Sequence, residues 1–166
     1  MRVVKMLAAA LCGVALVAGV SVTPASATVM PHGITQDGVY FMVNQGTKRC
    51  LDDSKAFGLR MFGCNGQTFQ QWRLHGLNES GTAWTIENEN TKSCVQGSST
   101  GALFTLPCNG LSVQAWWVGS FMSGDDPVAW FQNQKTNACL QDTVAHGLEA
   151  VGCNTDSPNQ QFKLTP

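Results

Sequence analysis

The stretch Cys50-Leu-Asp-Asp-Ser-Lys-Ala-Phe-Gly-Leu-Arg-Met-Phe-Gly-Cys64 opens and closes on cysteine, with thirteen residues between. The same interval returns in CVQGSSTGALFTLPC, Cys94 to Cys108, and in CLQDTVAHGLEAVGC, Cys139 to Cys153. The unit to be explained is therefore a repeat. Eight residues after Cys64 and Cys108 stand Trp72 and Trp116, and nine after Cys153 stands Phe162. Each closes a Gln-x-aromatic triplet: Gln70 with Trp72, Gln114 with Trp116 and Gln160 with Phe162. Upstream, Tyr40, Trp84 and Trp130 precede the first cysteine of their units by ten, ten and nine residues. Asn44, Asn88 and Asn133 precede it by six, and Thr47, Thr91 and Thr136 by three. The period of 44 to 46 residues holds several short strands and turns.

The first residues stand outside this pattern. Arg2 and Lys5 form a basic start, an apolar run follows from Met6 to Val20, and Ala25-Ser26-Ala27 supplies a small-x-small cleavage pattern. Residues 1–27 are read as a secretory signal peptide. The run is shorter than the ~20 apolar residues of a membrane span, so no membrane anchor is expected, and the protein is expected to be secreted and extracellular. Without Arg2 and Lys5, eight basic residues face eleven acidic ones, a net charge near −3 with histidines neutral. That balance, with no cluster of Lys and Arg, excludes nucleic acid as a partner.

Setting Cys12 aside with the leader leaves six cysteines, an even number in a chain bound for an oxidising space. Among fifteen possible pairings, the threefold interval selects Cys50–Cys64, Cys94–Cys108 and Cys139–Cys153. On the chain-entropy view such a loop contributes roughly 3 kcal/mol. No C-x-x-C knuckle appears, so zinc is not expected.

No segment after the leader sustains a helical apolar face. Short alternating runs, such as Tyr40 to Val43 and Ala83 to Ile86, are separated by turn-forming stretches such as NQGT and NTDSPN. Four strands per unit give an all-β chain whose threefold repetition implies a closed barrel with threefold pseudo-symmetry.

Three Gln-x-aromatic triplets in register with three equal cysteine intervals, together with Cys-Leu-Asp and Cys-Leu-Gln, resemble the ricin B-chain-type lectin family, in particular its secreted actinobacterial members. The resemblance covers about 38 to 164. It implies a β-trefoil over 34–166, a six-stranded barrel capped by three hairpins, with repeats at about 38–76, 82–120 and 127–165. It further implies one sugar pocket per unit: an acid two after the first cysteine, a ring two before the second, a Gln four before it, and an Asn ahead of Gln-x-aromatic. A carboxylate there accepts from adjacent hydroxyls, an amide donates back, and a ring covers the sugar's apolar face.

Transferred residue by residue, the pattern is incomplete in every unit. The first unit has Asp52, Phe62 and Gln70, with Arg60 in the Gln place, Phe69 in the Asn place and Asn65 as a nearby substitute. The second has Gln96, Phe104, Leu106 and Val113, which leaves no sugar pocket. The third has Gln141 with Asp142 beside it, Asn159 and Gln160, but Val151 and Glu149 replace the ring and the Gln. The first unit is expected to dominate. Beside these readings stand plainer ones: Asp52 and Asp53 as turn caps, Phe62 as core, and Asn44, Asn88 and Asn133 as turn stabilisers. Tyr40, Trp84 and the three Gln-x-aromatic rings are read as core.

Trp117 follows a core aromatic where the other units have Arg73 and Lys163, so it is expected to face outward, either as a contact for a protein partner or sugar or simply lying on its neighbours. Catalysis is not expected. Gly97-Ser-Ser-Thr-Gly101 matches G-x-S-x-G but fills a turn position of the repeat; His32, His75 and His146 are scattered; Asp125-Asp126 before Pro127 reads as a turn. No cofactor or metal is implied. The sequence leaves two functions: a secreted, non-catalytic glycan-binding module with partly degenerate pockets, or a trefoil scaffold for protein contacts or inhibition.

Overall fold

The alternation seen in the sequence becomes strand burial in the computed structural model, which describes residues 34–78 and 83–166. The expected signal segment lies outside these residues. In β1 (Gly38–Asn44) Tyr40, Met42 and Asn44 are buried while their neighbours are not. In β5 (Trp84–Asn88) Trp84, Ile86 and Asn88 turn inward. In β9 (Asp126–Asn133) the corresponding residues are Ala129, Phe131 and Asn133. Successive side chains of a strand point to opposite faces, so positions ten, eight and six before each first cysteine share the inner face. Trp130, nine before Cys139, therefore departs from Tyr40 and Trp84. A one-residue offset reverses the face, and its ring lies over Gly119, where an added Cβ would fall 2.0 Å from the Trp130 ring, and 6.5 Å from that of Phe121.

The remaining strands are β2 (Cys50–Ser54), β3 (Gly58–Phe62), β4 (Gln71–Gly76), β6 (Ser93–Gly97), β7 (Leu103–Pro107), β8 (Trp116–Ser123), β10 (Cys139–Thr143), β11 (Gly147–Val151) and β12 (Phe162–Thr165). Six of them close a ring: β1 pairs with β4, β4 with β5, β5 with β8, β8 with β9, β9 with β12, and β12 with β1. The other six form hairpins β2–β3, β6–β7 and β10–β11. This is a β-trefoil, an all-β fold of three four-stranded units, each with its own bridge: Cys50–Cys64, Cys94–Cys108 and Cys139–Cys153.

The ring pairs residues so that Tyr40 lies opposite Trp72, Trp84 opposite Trp116, and Ala129 opposite Phe162. The third pair is the smallest, and Phe131 fills its space with an edge contact to Phe162 at 6.0 Å. The buried indoles keep their polar handle satisfied. Trp72 Nε1 donates to Leu51 O at 2.9 Å, and Trp116 Nε1 to Val95 O at 3.1 Å.

The three asparagines hold both the turns and the unit junctions. Each Oδ1 accepts from the backbone two and three residues on, at 3.0 to 3.2 Å: Asn44 from Gly46 and Thr47, Asn88 from Asn90 and Thr91, Asn133 from Lys135 and Thr136. Each Nδ2 donates to the carbonyl just ahead of a Gln-x-aromatic in the neighbouring unit: Asn159, Phe69 and Val113 respectively. The turns end at Lys48, Lys92 and Asn137 in the left-handed region, with φ of 60°, 55° and 58°. The G-x-S-x-G segment ends β6 and enters a turn, with no helix behind it.

Candidate functional site

The site positions are built from the Gln of each Gln-x-aromatic. Gln70, Gln114 and Gln160 are buried, and each clamps the two residues that flank the second cysteine of its unit. Gln70 Oε1 accepts from Asn65 N and its Nε2 donates to Gly63 O; Gln114 does the same with Asn109 and Pro107, and Gln160 with Asn154 and Gly152. The same amide reaches the residue two after the first cysteine: Asp52 at 3.1 Å, Gln96 at 3.3 Å and Gln141 at 3.0 Å.

In the first unit Asp52 is fully buried, inside β2 rather than at a turn. Its Oδ2 accepts from Gln70, and its Oδ1 accepts from Arg60 Nε at 3.0 Å. Arg60, 29% exposed, lies between two rings, its Cζ 4.2 Å from the centroid of Phe57 and 4.3 Å from that of Phe62. Phe62 is 46% exposed and Phe57 69%, so the reading of Phe62 as core is corrected. Through its bond to Nε the Asp52 carboxylate orients the Arg60 guanidinium. Asn65 is exposed and its Oδ1 accepts from Gln67 N at 3.1 Å.

The third unit has a corresponding pairing. Gln141 accepts from Gln160 and donates to Glu149 Oε1 at 3.2 Å. Asn159 packs against Gly46, where an added Cβ would fall 2.0 Å from its Oδ1. Asp142, also fully buried, is turned away from Gln141 towards the first unit. Arg49 donates to both of its oxygens and Thr47 Oγ1 to Oδ2. Asp53 plays the corresponding part between the first and second units, accepting from Thr91 Oγ1 and, at 3.0 Å, from Thr105 Oγ1. Both acids are thus ties between units. Sequence contained a signal for these two pairings: Asp52 faces Arg60 and Gln141 faces Glu149 in hairpin register, and such cross-strand pairs interact.

Clefts also lie outside the first unit's hairpin, two of them of similar volume. One, of about 410 Å³, is lined by Phe121, Trp130, Thr155, Asp156 and Gln161; the offset of Trp130 by one residue was its signal. The other, of about 400 Å³, lies between the second and third units and is lined by Gln96, Gly97, Ser98, Ser99, Val113, Lys135 and Thr136. Trp117 is 40% exposed, opposite Gln132. His75 contacts Asp37, and His146 is exposed on the β10–β11 turn. No helix among the described residues is long and apolar enough to cross a membrane.

No protein-family model and no curated protein sequence matches the chain. Solved structures share its fold. It is similar to the designed threefold-symmetric protein ThreeFoil, at 19% identity and TM-score 0.66, covering 78% of this chain and 99% of that one. It is similar to the Polyporus squamosus lectin bound to a human-type influenza-binding epitope, at 14% identity and TM-score 0.65, covering 80% of this chain and half of that one. It is also similar to SeviL bound to asialo-GM1 saccharide, at 13% identity and TM-score 0.63, covering 78% and 98%. The chain shares the β-trefoil of lectins.

Proposed function

We propose that the protein is a secreted, non-catalytic carbohydrate-binding protein whose first unit carries the main pocket. The observation that supports this is Arg60, fixed by buried Asp52 and flanked by Phe57 and Phe62. A guanidinium has five N–H donors in a planar fork. Asp52 engages Nε, which leaves the terminal nitrogens for vicinal hydroxyls while the exposed ring of Phe62 covers an apolar sugar face. The lectin neighbours support the reading through their fold, and three disulfides fit an extracellular setting.

A glycan array tests it. Selective signals are expected from the protein, lost in Phe62→Ala and Arg60→Ala, and retained in Gln96→Ala. Asp52→Ala is expected to abolish binding and Asn159→Ala to weaken it, with folding checked by near-UV circular dichroism. Retained binding in Asp52→Ala with loss in Asn159→Ala would move the pocket to the third unit. Silence of the folded protein at high concentration would favour a second reading, a scaffold for protein contacts, which the exposure of Phe57 and Trp117 supports.

A further inference from the structure

One junction is built three times between consecutive units, and its third copy lacks a charge. Three residues before each first cysteine stands a threonine whose hydroxyl reaches its own turn asparagine: Thr47 to Asn44 at 3.3 Å, Thr91 to Asn88 at 3.5 Å and Thr136 to Asn133 at 3.4 Å. At two junctions that hydroxyl also donates to a buried carboxylate three residues after the first cysteine of the preceding unit, Asp142 for Thr47 and Asp53 for Thr91. At the third junction the corresponding residue is Gly97. A glycine contributes no acceptor, and the cleft of about 400 Å³ opens at this place.

The cleft wall also differs in charge. The residue before the threonine is Gly46 in the first unit and Asn90 in the second, but Lys135 in the third, exposed and lining the cleft. Where Arg49 neutralises Asp142, the third unit has Ala138. The third junction therefore brings a hydroxyl and a cation without the anion that the other two enclose. Of the other lining residues, Gln96, Ser98 and Ser99 carry hydrogen-bonding side chains suited to hydroxyls and Val113 offers an apolar surface, and the volume lies within the ~300–1,000 Å³ of small-molecule sites.

We infer that this cleft binds an acidic monosaccharide, its carboxylate seated against Thr136 and Lys135 where Asp142 and Asp53 stand at the other junctions. The inference extends the carbohydrate reading to a second, acid-selective position independent of Arg60. Charge-assisted hydrogen bonds to Lys135 and Thr136 supply the preference for the ionised acid over its neutral ester.

The test is a titration of the ¹⁵N-labelled protein with sodium glucuronate, its methyl ester and glucose, followed by amide shifts. Glucuronate is expected to give saturating shifts at Ser99, Lys135 and Thr136 that the ester and glucose do not. Lys135→Ala should weaken it about tenfold or more, the scale of one hydrogen bond to a charged group. Gly97→Asp should abolish it by placing a carboxylate on the chain; since a Cβ there would sit 3.2 Å from Asn133 Cγ, the Lys135 variant carries the test if that protein fails to fold. Equal response to acid and ester, no saturating shift with acid, or unchanged affinity in Lys135→Ala would overturn the inference. Arg60→Ala separates the two proposals: it should remove array signals from the first unit and leave the glucuronate response unchanged.

Discussion

Trp116 and Trp117 are neighbours in one strand, the first with no exposed surface and the second 40% exposed. They stand for two regions of the molecule. Inside the barrel the three units repeat closely: the clamp glutamines and the turn asparagines recur with equivalent backbone partners, and where β9 has Ala129 instead of an inward ring, Phe131 fills the space beside Phe162. On the hairpins the units diverge, with Arg60, Phe104 and Glu149 at one position and Phe62, Leu106 and Val151 at another. Burial leaves few side chains that satisfy volume and hydrogen bonds together, whereas the outer positions tolerate change. Repetition therefore reports on packing, and departure from repetition is where recognition has to be sought.

The comparison breaks if the two regions respond alike. Trp116→Ala should cost about 3–5 kcal/mol in urea unfolding, as removal of a large buried ring and its bond to Val95 requires, while Trp117→Ala should stay within ~0.5 kcal/mol. Replacing the Cys139–Cys153 pair by serines should cost ~3 kcal/mol. A non-reducing peptide map of the unaltered protein should show the three bridges within their own units. Asp142→Ala should lower stability by about 2 kcal/mol, because it strands Arg49, yet one-third of that side chain meets water and moderates the loss.

The smallest effect belongs to Glu89. Its bond to Lys92, helped by Arg73, holds its carboxyl below the usual carboxylate range against the opposing effect of burial. A folded-state pKa below the unfolded one contributes stability above the unfolded value, and that contribution fades as pH falls through the folded value. Glu89→Gln should thus cost under ~1 kcal/mol at pH 7 and nothing measurable once the acid is protonated in both states. An unchanged difference across that range would show that the pair acts through shape rather than charge.

The fold was legible because its signals are periodic and its bridges local. Three equal cysteine intervals and three Gln-x-aromatic triplets specify unit length, strand face and pairing before any coordinate is known. The site was less so, because pockets depend on how side chains from different segments turn towards one another. Asp52 reads as a free acid in sequence, and only its opposition to Arg60 shows that it is taken. Asp142 reads as a neighbour of Gln141, although strand alternation sends it to the other unit. Gly97 carries no side chain to draw notice, and its meaning appears only beside Asp53 and Asp142. Trp130 stands a single position out of step with Tyr40 and Trp84, and that offset is the only trace in sequence of its outward turn.

The strand ring has one more consequence. β1 and β12 lie side by side, with Phe41 opposite Thr165, and Thr35 and Pro166 line the same cleft. The described ends of the fold therefore meet at a seam equivalent to the junctions inside it. A circle of three like units has no structural first member. A covalent link across that seam, with a new opening at the two-residue turn Gly124-Asp125 between β8 and β9, would yield a circular permutant with every strand neighbour retained. Which unit leads is a property of translation, while the barrel itself is indifferent to it.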